Sequence, residues 1–208
     1  MTGPHPWAIV PAAEYEAYMG PGGVDQLGAS SAIFGKIYAA LKPTRLALLG
    51  CATGTGLEHV DPTTTRRVVG VDVNIQYVAI ARQRFLSLGA VLELYCEDVL
   101  RVRLQRGAFD LVHAALLFEH VEPLPLAERI AAWLAPGGAC SVVVQLTRPT
   151  PPPGSLPRSM EAIVASMRLV PPEELRASFR RAGLEERRAF EVPGGAGRFL
   201  VALFARPK

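Results

Sequence analysis

From residue 45 onward, short apolar runs alternate with stretches whose apolar residues recur at helical spacing. RLALLG (45–50), VVGVD (68–72), AVLELYC (90–96), FDLVHA (109–114) and ACSVVVQL (139–146) are too short for helices and read as buried strands. Ile75–Leu88 and Leu124–Leu134 lie between them and are amphipathic at helical spacing. Continuous apolar strands alternating with helices predict an α/β chain with a mostly parallel, doubly wound sheet. Further on, a helix is predicted over Pro171–Ala182, with Gly183 ending it. The runs EERRAFEV and GRFLVALFA follow, joined around Gly194-Gly195. So short a connection requires an antiparallel C-terminal hairpin.

Upstream of the first strand the pattern is helical. Ala12–Met19 is a short helix candidate, and residues 24–42 place Leu27, Ile33, Phe34, Ile37, Tyr38 and Leu41 near helical spacing before Pro43 ends the run. Residues 1–42 therefore read as an N-terminal helical cap on a domain covering 43–208. Within that domain, RPTPPPGSLP (148–157) is too rich in Pro for a regular strand or helix interior. It follows the fifth strand and so falls at the ligand edge of the sheet. With a short helix over Met160–Met167, residues 148–170 are expected to act as a cover, the competing reading being a rigid surface connector.

Composition narrows the picture. The chain has 208 residues, half of them hydrophobic and a fifth charged, enough for a packed core. The net charge of +3 is mild, and the Arg-rich stretch after residue 176 is interleaved with Glu. That disfavours a nucleic-acid partner. No apolar run is long enough to span a membrane, and the first residues lack the basic-then-apolar order of a secretory signal. Cys51, Cys96 and Cys140 have neither disulfide-framework nor zinc-site spacing, which points to a cytoplasmic protein without a bound metal. Cys96 and Cys140 read as core, and Cys51 as a small residue tolerated against a ligand.

The candidate chemistry lies after the first strand, which runs directly into Gly50-Cys51-Ala52-Thr53-Gly54-Thr55-Gly56. A loop of such small residues lets backbone N–H groups approach a ligand closely. The second strand ends at Asp72, about 20 residues after Gly50, where a contact to a ribose diol calls for an acidic residue. The loop has no Lys, so it is not a Walker A loop. Neither glycine register completes G-x-G-x-x-G/A, because His59 and Thr55 occupy the last position, so a dinucleotide site is disfavoured.

LALLGCATGTG, VVGVDVN, CEDVL (96–100), FDLVHAALLFEHV (109–121) and LAPGGACSVVV (134–144) occur in order. In this the chain resembles the class I S-adenosylmethionine-dependent methyltransferases over roughly residues 43–208. The resemblance implies a Rossmann-like, seven-stranded sheet and S-adenosylmethionine as cofactor, with S-adenosylhomocysteine as product. It implies cofactor contacts at Gly50, Cys51, Ala52, Thr53, Gly54 and Gly56 in the loop, and at Asp72 and Val73 on the ribose. Glu97, Asp98 and Val99 would meet the adenine, with Asp98 preferred for its amino group, and His113 and Ala114 would follow on the fourth strand. The chain departs from the family at three places. Leu48 stands where an acidic residue is usual, Ala52 replaces the central Gly, and Pro62 cuts the helix after the loop to Gly56–Asp61. Methionine binding is therefore expected to lean on loop backbone and on the N-terminal segment, where Tyr15, Tyr18 and Met19 could close over the ligand. The competing reading packs those three as a plain helix face.

The function implied is methyl transfer to a small-molecule acceptor. The alternatives are a non-catalytic module that binds S-adenosylmethionine or S-adenosylhomocysteine, and another transferase or an oxidoreductase on the same fold. General-base candidates are His113, Glu119 and His120, each of which could equally cap or pack; His59 and Asp61 read as surface residues. Leu116, Leu117 and Phe118 hint at an acceptor that is partly apolar, or are core. The chain is expected to be a monomer or a homodimer, without a membrane or nucleic-acid partner.

Overall fold

The computed structural model describes residues 5–208. Seven strands form one sheet: β1 (Arg45–Leu49), β2 (Arg67–Asp72), β3 (Leu92–Cys96), β4 (Phe109–Ala115), β5 (Leu134–Gln145), β6 (Glu185–Pro193) and β7 (Arg198–Ala205). Their order is β3-β2-β1-β4-β5-β7-β6. Strands β1 to β5 pair in parallel, while β7 runs antiparallel to both β5 and β6. Six strands therefore share one direction. The chain works outward from β1 to β3, then returns to the other side of β1 with β4. The connections leaving β1 and β4 diverge at that reversal and open a crevice at the carboxyl ends of the strands.

Strand alternation sorts the core onto two faces. Ala47, Leu49, Val69, Val71 and Val112 pack toward α4 (Pro123–Trp133) and α6 (Pro172–Arg181), through Leu126, Ile130, Leu175 and Phe179. Leu46, Leu48, Val68 and Leu111 pack toward α2 (Leu27–Leu41) through Ile33, Phe34 and Ile37. Lys42 caps α2 in the left-handed conformation and Pro43 follows. A third cluster joins α1 (Ala12–Met19) and α5 (Arg158–Ser166) to α3 (Ile75–Arg84), through Tyr15, Tyr18, Tyr77, Met160 and Ile163.

Three local features differ from the sequence reading. The helix expected over Gly56–Asp61 is a single 3-10 turn, Leu57–His59, as Pro62 follows too soon for a longer one. Strand β5 begins at Leu134, not Ala139, and absorbs the Pro-Gly-Gly segment with a register shift opposite Phe109–Leu111. Cys96 is exposed where core was expected, because it ends β3, the edge strand of the sheet. No described helix is long and apolar enough to cross a membrane.

Candidate active site

One cavity occupies the crevice, walled by the ends of β1, β2 and β4, the N-terminal segment and the stretch after β5. Gly50, Cys51, Ala52 and Thr55 line it from the loop after β1; Asp72, Val73, Glu97, Asp98 and Val99 line it from the loops after β2 and β3.

Asp72 organises the loop. Its Oδ2 accepts from the backbone N–H of Ala52 at 2.8 Å, and its Oδ1 from that of Asn74 at 2.9 Å. The first bond ties the end of β2 to the loop after β1. Ala52 has a φ of 46°, in the left-handed region a residue with a Cβ seldom takes, so the tie holds a strained backbone in place. Burial pushes the Asp72 carboxyl up to about 6, against the lowering effect of its backbone donors. The Asp98 carboxylate accepts from the Leu100 N–H at 2.8 Å, and Glu97 accepts from the Asp98 N–H at 3.2 Å.

Four residues expected at the cofactor do not line this cavity: Thr53, Gly54, Gly56 and Ala114. A Cβ on Gly54 would lie 2.4 Å from Phe85, and one on Gly56 2.8 Å from Phe34. These two glycines, both at positive φ, serve close packing inside the protein. Thr53 donates its hydroxyl to Glu16 at 2.6 Å, and Arg84 donates to the same carboxylate at 2.8 Å, so α1 is pinned to the loop. The Arg84 ion pair holds the Glu16 carboxyl below its ordinary range. Ala114 faces the α4 core, while its neighbours His113 and Ala115 line the cavity, as strand alternation requires.

The general-base candidates separate cleanly. His113 is buried against Phe34, ring centroids 4.9 Å apart, with Nδ1 3.1 Å from the Ser141 hydroxyl. Glu119 does not line the cavity; its Oε1 accepts from the Gln145 N–H at 2.6 Å, its Oε2 has no partner, and burial pushes its carboxyl up to about 7. His120 lines the cavity edge-on to Trp7, with ring centroids 5.2 Å apart. Burial, then nearby His5, pushes its imidazole down to about 4, so it is neutral at pH 7. Leu116, just before, has a φ of 54°, an outlier for a bulky side chain that aims the loop after β4 into the cavity.

Tyr15, Tyr18 and Met19 line the cavity, and so do Leu116 and Leu117, whereas Phe118 is core. Pro149, Met160, Ile163, Val164 and Met167 contribute from the far side. His59 and Asp61 are exposed and remote from it. Sequence reasoning missed Trp7, Gln26, Ser30 and Gln145. Gln26 donates to the Gln145 side chain at 3.2 Å, and both are buried. A single polar residue closing the apolar run SVVVQ was the available signal for Gln145. The hydroxyls of Tyr18 and Ser30 are buried without a hydrogen-bond partner. Such groups are rare enough to mark a site where a ligand supplies the missing bond.

Residues 48–138 match the family model of a methyltransferase domain. Over 114 residues the chain is 26% identical to phosphoethanolamine N-methyltransferase 3 of Arabidopsis thaliana, covering 54% of this chain and 23% of that protein. The chain thus spans about a quarter of the length of the curated relatives it matches. Among solved structures it is similar to N-methyltransferase NodS from Bradyrhizobium japonicum bound to S-adenosylhomocysteine, with a TM-score of 0.69 and 16% identity, covering 91% of each chain. It is also similar to the [4+2]-cyclase SpnF, with a TM-score of 0.68 and 19% identity, covering 85% of this chain and 80% of that one. At these identities the structural likeness carries the fold.

Proposed function

We propose that the chain is a class I S-adenosylmethionine-dependent methyltransferase and that it transfers a methyl group from that cofactor to a small-molecule acceptor. The observation that carries this reading is Asp72, a buried carboxylate at the end of β2 that both lines the cavity and braces the loop after β1. The residues present fit the cofactor. A carboxylate offers about four acceptor sites. Asp72 therefore keeps acceptor capacity for a ribose hydroxyl beside its backbone donors. Asp98, Glu97 and Val99 flank the place for the adenine, and the partnerless hydroxyls of Tyr18 and Ser30 are free for the polar methionine end. This is the role in which the N-terminal segment compensates for Leu48.

When bound, S-adenosylmethionine supplies a methyl group already activated on a sulfonium. The chain must hold the acceptor in line and exclude water, which can supply several kcal/mol of the barrier. His120 takes the acceptor's proton on an imidazole nitrogen. Burial keeps its imidazole neutral, which leaves a nitrogen lone pair to receive that proton. His113, committed to Ser141 and Phe34, is a positioning residue in the sheet, and Glu119 braces Gln145.

Residues 1–42 serve as a cap and 148–170 as a cover on the domain of 43–208. The unpaired cysteines suit a reducing cytoplasm. A monomer or homodimer acting on small molecules, not on nucleic acid, completes the proposal.

The test is methyl transfer from labelled S-adenosylmethionine to a panel of small acceptors. His120→Gln is expected to lower kcat by about a hundredfold with S-adenosylhomocysteine affinity unchanged. Full turnover by His120→Gln dismisses it as the base. Cofactor binding with no transfer to any acceptor favours the non-catalytic module.

A further inference from the structure

The cavity is lined on one side by the strand ends and loops that carry Asp72, Glu97 and Asp98, and on the other by the N-terminal segment and α5. Its outer portion lies between the N-terminal segment, the loop after β4 and α5, and is walled by Trp7, Leu27, Leu117, Met160, Ile163 and Met167. Methionine and aromatic walls adapt to flat apolar bodies. The carboxylates that line the cavity, Asp72, Glu97 and Asp98, all sit at the ends of β2 and β3. Among the described residues no Lys or Arg side chain lines it at all. Three cations of the flanking segments are committed elsewhere. Arg148 donates to the carbonyls of Val164 and Met167, Arg168 to Glu174, and Arg84 to Glu16. A phosphate or carboxylate placed in the outer portion would meet no Lys or Arg, only the imidazoles of His5 and His120, and an ammonium would meet no carboxylate. Burying an unpaired charge is strongly unfavourable, whereas a hydroxyl or amide needs only one partner. The outer portion offers such partners in the side-chain amides of Gln26 and Gln145 and in His120.

We infer that the acceptor is an uncharged, flat, mainly apolar molecule with a hydroxyl as its polar handle, and that acceptors bearing phosphate, carboxylate or ammonium groups are excluded. This rests on the proposed methyltransferase reading.

The test is calorimetry on the full chain saturated with S-adenosylhomocysteine. The probes are 2-naphthol, 2-naphthyl phosphate, 2-naphthoate and 2-naphthylmethylammonium, which share one apolar body and differ in charge. The naphthol is expected to bind at least tenfold more tightly than each charged analogue. Equal or tighter binding of any charged analogue, or no naphthol binding below millimolar concentration, overturns the inference. A second arm uses Ile163→Lys, which places a cation in the outer wall. The inference predicts that 2-naphthyl phosphate gains at least tenfold in affinity relative to naphthol; an unchanged ratio counts against it. Saturation with S-adenosylhomocysteine is measured first on the same sample. Its failure overturns the parent reading, while charge-blind binding in the saturated protein overturns only the acceptor class.

Discussion

Asp72 braces the glycine loop through Ala52 and at the same time presents its carboxylate to the cavity. Its carboxyl, pushed up to about 6 by burial, gives the site a pH dependence. A ligand hydroxyl donating to this group favours the ionised form and lowers its pKa in the complex. Affinity is then full above the free-state value and falls as pH drops through about 6, by up to tenfold per unit. The Kd of S-adenosylhomocysteine measured between pH 5 and 8 should show this loss below about 6, and Asp72→Asn should flatten it. A parallel profile in the variant would remove Asp72 from the ligand. Asp72 was legible in the sequence because a strand end, a small-residue loop and a fixed interval coincide there. Gly54 and Gly56 do not line the cavity, because a glycine's need for room does not say which neighbour takes that room. Here it is Phe85 and Phe34, from outside the loop. Ala114 is one position out of phase with the wall, as strand alternation sets it.

At the scale of elements, the joints between segments are made by a few polar side chains. Asn74 caps α3 by accepting from the N–H groups of Gln76 and Tyr77, and its amide donates to the carbonyls of Trp7 and Val10 at 2.8 and 2.9 Å. One buried side chain thus starts a helix and fastens the N-terminal segment that carries Trp7 to the sheet. Asn74→Ala removes a helix cap and leaves buried carbonyls unpaired. It should cost about 1–3 kcal/mol of stability, read from urea unfolding. A loss below about 0.5 kcal/mol would show that the segment is held by apolar contact alone. The strands and the longer helices were legible because their apolar periods are undisturbed. The early start of β5 was not, since Pro136-Gly137-Gly138 reads locally as a turn and is held by the β4 pairs that flank it and by backbone hydrogen bonds of Gly137 and Gly138 with Arg206.

Across the whole molecule, the sheet order places one crevice at the reversal between β1 and β4, and two segments distant in sequence close over it. Tyr18 and Met160 share a cluster with Ala52 of the loop, so a ligand there is enclosed by cap, loop and α5 together. That convergence was beyond a reading of local patterns, which gave both segments as plausible covers and could not bring them to the same place. It also explains why the loop departures at Leu48 and Ala52 are compatible with a site. The enclosure brings Tyr18 and Met160 beside Ala52, where the loop departs from the family pattern. The central claim is that this crevice binds a sulfonium nucleoside, and calorimetric titration of the intact chain tests it directly. Micromolar binding of S-adenosylmethionine and S-adenosylhomocysteine, with none of NAD, is the predicted result. No binding of either sulfur ligand at millimolar concentration, or binding of NAD in their place, would contradict it.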